Sequence, residues 1–514
     1  MTAVVPRPAA SAPEDVERPA ARPAASGKAR GWVWPVAATV LGAAGALYPV
    51  PTLALLVGVT TLTLAVAAPR ATVGLTALVV LFVRPIEHVV PIPAVGYVDE
   101  ALVMLCLVAM PLRRVVLRQP LRTFPGQWWF AAFLVSGLLS GLVLHVPFSI
   151  FLLGAFIIAK GLLFGWAVAQ VDWTERHIAT VARVGVAVII FCLAATLVNV
   201  AIPGAWEAVL SSDPNASEAR SFLPSVIGPF SHPIDLGQFM ALSFVALAAW
   251  RATVGRSVLS LVLLVSTGLV AVATARRTAI GSIVVGWLWL QAKVRSTRVI
   301  VALLACLPVA VVVLAAPLAT VVTSTYQDYL GIGEPEARTV LTIDSFKVAA
   351  DHFPGGAGFG RFASAVAATY YSPEYVERGY PTIWGLGQGE NGRFLTDTEW
   401  PAIIGESGFL GALAFVFGLI AAYRAGLRLW KSGRAPLVRW VGLAAAGWLV
   451  TCAVQSVATV TFTGPPVFGL LFGLIGIVCA LSDGDRAAPG ATDGTTSERT
   501  PPAGLPQVRA AART

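Results

Sequence analysis

The sequence predicts an all-α integral membrane protein: a polytopic bundle of about 12 to 14 transmembrane helices with one large extracytoplasmic loop domain. Three observations lead to this fold class. The 514 residues are 56% hydrophobic and only 12% charged, a composition typical of polytopic membrane proteins. Apolar segments of membrane-spanning length follow one another along most of the chain. A polar, Gly- and Pro-rich stretch, residues 324–398, interrupts that series and is too long for a simple connection.

A transmembrane helix needs about 20 predominantly apolar residues, and the sequence contains a succession of such segments. The predicted spans are 31–48, 52–69, 71–90, 98–116, 127–145, 148–171, 178–201, 232–250, 257–274, 278–292, 299–322, 400–423, 437–457 and 461–481.

The two ends of the chain are rich in Ala, Pro and Arg and lack an apolar core, so we predict disordered cytoplasmic tails there. The predicted regions are a tail, 1–30; transmembrane helices, 31–323, with an outer segment, 203–231; the large loop, 324–398; C-terminal transmembrane helices, 399–481; and a second tail, 482–514.

The charges of the short connections orient the predicted helices, because cytoplasmic loops carry an excess of Lys and Arg. If the N-terminus is cytoplasmic, every second connection should be basic, and these connections are. Their basic residues are Arg70; Arg113, Arg114, Arg118 and Arg122; Arg176; Arg251 and Arg256; Lys293, Arg295 and Arg298; and Arg424, Arg428, Lys431, Arg434 and Arg439. This orientation places the large loop outside.

The net charge of +9 does not predict a nucleic-acid partner, because the basic residues lie in short runs between apolar segments. Membrane lipids are the expected surroundings. The five cysteines all lie inside apolar runs, without the spacing of disulfides or metal ligands, so we predict neither a metal site nor another cofactor.

Paired arginines at a predicted outer turn, Arg276 and Arg277, contradict the charge bias of the other connections. Ionisable residues near a membrane are costly and usually line a polar site. Arg220 in the outer segment and Arg338 at the start of the large loop could join them. Guanidinium groups present planar sets of donors to phosphate oxygens. Alternatively, Arg276 and Arg277 only extend to lipid headgroups.

Four segments resemble the motifs of the O-antigen ligase and O-antigen polymerase superfamily, in the family's order. They are Ala-Arg-Arg-Thr-Ala at 275–279; Gly-Pro-Phe-Ser-His-Pro at 228–233, followed by Phe239; Ala337 and Arg338 running into Asp-His-Phe-Pro-Gly-Gly-Ala-Gly-Phe-Gly at 351–360; and Asp397 followed by Glu-Ser-Gly-Phe-Leu-Gly at 406–411. Each motif is short, but together they cover roughly residues 200–425. Arg277 falls on the family's arginine, whereas Asp397 stands where the ligases have His.

The resemblance implies a metal-independent glycosyltransferase of a bacterial cell membrane with its active site on the extracytoplasmic side. Its donor would be a glycan linked to undecaprenyl diphosphate, and its acceptor a growing glycan or a lipid. Arg277 and Arg338 would stabilise the departing diphosphate, and Asp397 would act as general base. The residues expected to bind substrate are Arg276, Arg220, His232, His352 and Glu406.

Structural roles remain open for several of these residues. Asp397 could be the N-cap of the helix that follows it, and Glu406 could form a hydrogen bond to a neighbouring span. His232 and His352 could be solvated or structural. The glycines of 355–360 could form a tight turn or bring backbone N–H groups to a phosphate. The aromatic residues of the large loop could pack on sugars or lie in the lipid interface.

Two rival functions belong to other classes. A transporter or lipid flippase would also have many spans, but it should contain internal repeats and ionisable residues near the bilayer midplane. Only Lys160 is predicted to lie deep within a span. A non-catalytic scaffold of envelope assembly would tolerate replacement of its outer arginines.

Overall fold

The computed structural model describes residues 49–211, 225–294 and 337–483, and within these ranges all regular structure is helical. The α-helices are α1 Pro49–Ala67, α2 Pro69–Val89, α3 Val98–Val116, α4 Gln127–Val143, α5 Phe148–Ala169, α6 Glu175–Ala201, α7 Pro203–Leu210, α8 Pro233–Thr253, α9 Val258–Ala273, α10 Arg277–Val294, α11 Ala337–Asp351, α12 Ala365–Tyr370, α13 Pro373–Glu377, α14 Glu399–Lys431, α15 Pro436–Gln455 and α16 Val467–Asp483. Short 3₁₀ turns occupy Pro93–Tyr97, Tyr380–Thr382 and Gly389–Asn391.

Several predictions lie outside the described residues: the spans 31–48 and 299–322, the tail 1–30, Arg220 and nearly all of the tail 482–514. The chain divides into two units, residues 1–63 and 64–514. The first contributes only the beginning of α1 to the description. Every structural relationship below belongs to the second.

Seven of the described helices are long and apolar enough to cross a membrane, as in a multi-pass membrane protein. They include α2, α5, α6, α8, α14 and α15, together with α3 and the turn before it. Four further apolar helical segments, within α1, α4, α9 and α16, are shorter. The all-α membrane class predicted from composition is therefore confirmed.

The predicted spans from 52–69 to 278–292, and those from 400–423 to 461–481, coincide with helices, and two of their boundaries differ by more than about three residues. Helix α14 begins at Glu399 and continues to Lys431, well beyond the apolar run. Helix α16 begins at Val467 because the residues before it form a polar turn.

One end of the bundle is held by Asp172, in the turn between α5 and α6. Its carboxylate accepts a hydrogen bond from Arg122 (2.7 Å) and contacts Arg114 at 3.3 Å, while Arg70 Nε donates to its backbone oxygen (3.0 Å). Burial raises the pKa of Asp172, but the hydrogen bond and charge of Arg122, with the charges of Arg114 and Arg113, outweigh it and leave the pKa below its usual value. We call this the Asp172 end.

The segment 337–398 packs at the other end of α5, which we call the loop end. A Cβ added to Gly154, near the start of α5, would lie 2.5 Å from Gly360 N. Helix α5 as a whole has 22 residues, about 33 Å at 1.5 Å per residue, and its last residue precedes the Asp172 end. Four of the basic residues that predicted one side of the membrane, Arg70, Arg113, Arg114 and Arg122, therefore lie together at one end of the bundle.

Segment 337–398 has an apolar core of its own, built around α11. Tyr375 and Tyr380 stack at 5.2 Å, and both are fully buried with Phe362. Burial raises the pKa of Tyr375 and of Tyr380, whose hydroxyl also donates to Asp344 Oδ2 (3.1 Å). These rings stabilise the segment and do not form open platforms for sugars.

Candidate functional site

Arg338 and Asp397 meet at the loop end. Arg338, the second residue of α11, donates from Nε to Asp397 Oδ2 at 2.6 Å, and its NH2 group contacts the same oxygen. The guanidinium also lies 5.9 Å from the centre of the Phe394 ring. Both side chains keep part of their surface exposed, 24% for Arg338 and 20% for Asp397. The arginine and the carboxylate selected from the sequence thus form one solvent-accessible pair.

Asp397 is not the N-cap of α14, which was the alternative interpretation of this residue. Thr398 occupies the N-cap position, with extended backbone angles (φ −133°, ψ 148°). The Asp397 carboxylate instead contacts Arg338, and its backbone N–H donates to Phe394 O at 3.2 Å.

Glu399, which sequence reasoning missed, ties the start of α14 to the polar turn before α16. Its buried carboxylate accepts hydrogen bonds from the N–H groups of Thr461 (2.6 Å) and Phe462 (2.9 Å) and from the Thr463 hydroxyl (2.9 Å). Glu399 lies in the first turn of α14, where the helix dipole also stabilises its negative charge. Glu399 therefore fixes the backbone two residues after Asp397.

The polar turn before α16 also contacts α8. The contact is made by Gln238, a second residue that the sequence analysis did not identify. Its side-chain amide donates to Thr459 Oγ1 (2.9 Å) and to Val460 O (3.2 Å). The sequence signal was a glutamine inside an otherwise apolar helix, where an unpaired amide would be costly. Contacts thus run continuously from Asp397 and Glu399 to the beginning of α8.

Helix α8 begins beside the turn that carries Arg276 and Arg277. Ser225 Oγ donates to Thr274 O (2.7 Å), and Val226 N donates to Ala273 O (3.4 Å). Arg277 is the first residue of α10 and is exposed, whereas Arg276 is half-buried in the turn. The predicted outer segment and the paired arginines are therefore neighbours.

His232 has a local structural role. It is the N-cap of α8, and its Nδ1 accepts a hydrogen bond from Ile234 N at 3.1 Å. Three residues further on, the buried carboxylate of Asp235 accepts a hydrogen bond from Arg84 NH1 at 2.6 Å. The Arg84–Asp235 pair fixes α8 against α2 at the loop end.

Glu406 holds the segment 360–364 against α14. Its buried Oε1 accepts hydrogen bonds from Phe362 N (3.1 Å) and Ser364 Oγ (2.6 Å). The alternative expected from the sequence, a bond to a neighbouring span, is wrong because the donors belong to the interhelical segment. Two residues later, Gly408 breaks the helix with φ 68° and ψ −177°.

The glycine-rich turn 354–358 packs backbone to backbone against this break. Ala357 N donates to Gly405 O (2.8 Å), Gly358 N donates to Glu406 O (3.0 Å), and Gly356 N donates to His352 O (3.0 Å). These N–H groups are used within the protein, so they do not form an open phosphate-binding loop. The glycines permit a close approach that a side chain would prevent.

His352 belongs to a network centred on the buried carboxylate of Glu374. Oε1 of Glu374 lies 3.1 Å from His352 Nε2 and 3.2 Å from Arg361 Nη2. Arg378 contacts Glu374 Oε2 at 3.8 Å and Asp351 at 2.8 Å. Sequence reasoning missed Glu374, Arg361 and Arg378, because no local pattern indicates a buried carboxylate in this segment.

This network is separate from the Arg338–Asp397 pair. Arg338 is the second residue of α11 and His352 follows its last residue, so about 14 helical residues, roughly 20 Å, separate them. The structure brings Arg338 together with Asp397, and His352 with Glu374, but it does not bring the two groups together.

Three charged side chains form a triad inside the helical bundle, and the sequence analysis identified only one of them. Lys160 Nζ, inside α5, lies 2.8 Å from Asp99 Oδ2 and 2.6 Å from Glu100 Oε1, at the start of α3. The lysine was recognised from sequence, but its partners were not, because they are 60 residues away and lie at the beginning of another span.

Within residues 49–211, 225–294 and 337–483, no group of three or more His, Cys, Asp or Glu residues is arranged to hold a metal ion. The charged groups described above are mutually paired acids and bases, which suit the binding and release of anions and protons. Comparison with known proteins found no matching family model and no matching curated sequence.

Proposed function

We propose that the protein is a membrane glycosyltransferase that moves a glycan from an undecaprenyl-diphosphate donor to a growing polysaccharide or another acceptor on the outer face of a bacterial membrane. The observation that carries the proposal is the Arg338–Asp397 pair, a phosphate-binding group and a potential base in contact at the loop end. The motif resemblance supports the same reaction, because two of its segments, 351–360 and 406–411, pack on each other.

The reaction needs both members of the pair. The acceptor hydroxyl oxygen attacks the anomeric carbon, the bond from that carbon to the diphosphate breaks, and undecaprenyl diphosphate leaves with the bonding electrons. Arg338 stabilises the negative charge on the departing diphosphate. Asp397 accepts the hydroxyl proton.

The pairing also gives an order of events. The Nε and NH2 groups of Arg338 both contact one oxygen of Asp397, so a diphosphate that binds the guanidinium competes with that carboxylate. Donor binding would draw Arg338 away and leave Asp397 available as a base. Arg276 and Arg277, adjacent to α8 at the same end of the bundle, would hold the rest of the anionic donor.

The first experiment measures polymer formation in a deletion strain that expresses variants at equal levels. Arg338→Ala and Asp397→Asn should each lower transfer about 10²–10³-fold, the usual loss for one transition-state group. Arg338→Lys should fall between Arg338→Ala and wild type, since it keeps the charge but loses the planar donors. Arg393→Ala and Glu390→Gln, at exposed positions of the same segment, are the controls. Wild-type polymer from Arg338→Ala would exclude this role.

The orientation is tested by thiol labelling in intact cells with a membrane-impermeant reagent. Cysteine at Glu390 should react and cysteine at Lys431 should not, because the two exposed residues lie at opposite ends of the bundle. The four cysteines in the described ranges are buried, and Cys306 should be replaced by Ser in the background. Labelling at Lys431 alone would place the loop end on the cytoplasmic side.

A second candidate function, a transporter or flippase, is favoured by the Lys160 triad, since buried charges within membrane helices often mark ion or substrate pathways. The deletion strain distinguishes the two. Lipid-linked saccharides that accumulate on the outer face, accessible to an added lectin, would indicate a missing transferase. Saccharides that accumulate on the inner face would indicate a missing flippase.

A further inference from the structure

A large cavity lies between the helices, away from the loop end. Its volume is about 1160 Å³, above the range of roughly 300–1,000 Å³ usual for small-molecule pockets. Helices α2, α6, α8, α9, α15 and α16 contribute to its walls, which are predominantly aliphatic and aromatic. Such a lining suits hydrocarbon and offers few partners to a polar ligand.

The length of the cavity matches one leaflet of a bilayer. Along α2 its lining runs from Arg70 to Leu81, and along α8 from Trp250 to Phe239. Eleven residues of helix correspond to about 16 Å. This is about half of the roughly 30 Å thickness of a hydrocarbon core. The cavity therefore extends from the membrane surface at the Asp172 end to about the bilayer midplane.

Basic and amphipathic side chains stand at the surface end of the cavity. They are Arg70, Trp173, His177 and Trp250. Arg183 lies further along α6, and its guanidinium turns back toward this end, donating to Ala179 O (3.3 Å) and Thr180 Oγ1 (3.2 Å). Arg70 and Arg183 are exposed, and tryptophan side chains favour the headgroup level of a membrane.

Two acids lie beside this rim in the sequence, Asp172 and Glu175, and neither offsets its charge, since Glu175 is followed directly by the exposed Arg176. The carboxylate of Asp172 is engaged by Arg122, Arg114 and Arg113, at 2.7, 3.3 and 3.8 Å. Arg70 contacts the backbone oxygen of Asp172 and not its carboxylate. The rim is consequently positive, which complements an anionic headgroup.

We propose that this cavity binds one anionic diacyl phospholipid from the leaflet at the Asp172 end. The acyl chains occupy the apolar walls, and the phosphate lies between Arg70 and Arg183. The site is distinct from the proposed donor site, because helix α5, about 33 Å long, separates the two ends of the bundle. The proposal does not depend on the proposed transferase activity.

Two glycines in the lining allow the cavity to be filled without disturbing its walls. A Cβ added to Gly74 in α2 or to Gly185 in α6 meets no atom within 4 Å. Gly74→Phe and Gly185→Phe therefore place a ring where a lipid chain would lie. Gly281→Phe in α10 is the matched control, because its Cβ is equally unobstructed and Gly281 does not line the cavity.

The double variant Arg70→Gln/Arg183→Gln tests the role of the positive charge at the cavity rim. The double variant Arg428→Gln/Lys431→Gln is its control. Both pairs remove two exposed positive charges near the same end of the bundle, but only the first pair belongs to the cavity rim.

The measurement is native mass spectrometry of delipidated protein titrated with dioleoylphosphatidylglycerol or dioleoylphosphatidylcholine. Wild type and both controls should retain one phosphatidylglycerol and prefer it at least about tenfold, which corresponds to about 1.4 kcal/mol. The glycine variants should lose the bound lipid, whereas Arg70→Gln/Arg183→Gln should bind both lipids equally. Unchanged retention in both glycine variants would overturn the site, and preferential retention of phosphatidylcholine or of an added polyprenyl phosphate would overturn the anionic phospholipid as its occupant.

Discussion

Gly356 and Gly408 face each other so closely that neither can carry a side chain in this structure. A Cβ on Gly408 would lie 2.7 Å from Gly356 N, and a Cβ on Gly356 would lie 2.6 Å from Gly405 O. Both residues also have positive φ, 76° at Gly356 and 68° at Gly408. The break in α14 and the glycine-rich turn therefore fit only as a pair.

Alanine at Gly408 should destabilise the protein by about 2–5 kcal/mol, since it combines backbone strain with overpacking against neighbouring backbone. Thermal unfolding in detergent, followed by size-exclusion chromatography, would measure the loss as a lower midpoint. Gly379→Ala is the control, because Gly379 has φ 72° but nothing within 4 Å of its Cβ position. Equal shifts for the two variants would contradict a packing role.

Replacement of Glu406 by Ala should reduce stability more than replacement by Gln. Alanine leaves Phe362 N and Ser364 Oγ without their buried acceptor, at about 1–3 kcal/mol for each group. Glutamine retains one acceptor oxygen. The same unfolding assay applies, with Glu377→Ala at an exposed position of α13 as control. If Glu406→Ala unfolds like wild type but loses activity, Glu406 binds substrate and is not the structural anchor described here.

The segment 337–398 should lose stability as the pH rises above about 10. Burial raises the pKa of Tyr375 and Tyr380 in the folded protein. In the unfolded chain both phenols ionise near their usual pKa of about 10. The folded state then binds more protons than the unfolded state, so its stability is intact below that pH and declines above it.

Unfolding midpoints between pH 8 and 11.5 test this dependence. Tyr380→Phe should be less stable at pH 8, since Asp344 loses a donor, but its stability should decline less steeply with pH. Tyr97→Phe, at a side chain that is 67% exposed, should follow the wild-type curve. A wild-type midpoint that stays constant up to pH 11.5 would refute the prediction.

Lys160→Met should destabilise the bundle by about 3–5 kcal/mol, because it leaves Asp99 and Glu100 next to each other without their cation. Adding Asp99→Asn and Glu100→Gln should restore much of the loss. Lys347→Met is the control: Lys347 is 60% exposed, its partner Asp344 keeps the hydrogen bond from Tyr380, and a pair with such an exposed cation contributes only about 0–1 kcal/mol. A small effect of Lys160→Met would mean that the two acids are protonated or otherwise compensated.

Hydropathy and charge predicted the helices well because both depend on local sequence. The spans followed from apolar length, and the grouping of Arg70, Arg114 and Arg122 near Asp172 agrees with the charge alternation. Boundaries were less predictable where contacts distant in sequence decide them. Glu399 holds residues 461–463 in a turn, so α16 starts later than its apolar run.

The sequence predicted those members of the candidate site whose side-chain chemistry restricts them to few kinds of partner. Arg338 and Asp397 were chosen for their chemistry, and they proved to be in contact across 59 positions of sequence. The Glu374 network was missed because its partners come from three separate turns. Three of the aromatic residues considered for sugars, Phe362, Tyr375 and Tyr380, proved to be core residues, whereas Trp384 and Phe353 are exposed. Hydrophobicity alone does not distinguish a binding platform from a buried cluster.

The break at Gly408 has a consequence for membrane assembly. It frees the carbonyl groups of Gly405 and Glu406, and the N–H groups of Ala357 and Gly358 bind them. Hydrocarbon cannot satisfy such backbone groups, and each one left exposed to lipid costs several kcal/mol. Helix α14 therefore cannot settle in the bilayer in its final form until residues 354–358, which precede it in the chain, have reached their place beside α4. Synthesis from the N-terminus delivers these parts in the required order, so an insertion that delays the turn should trap α14 at the membrane surface.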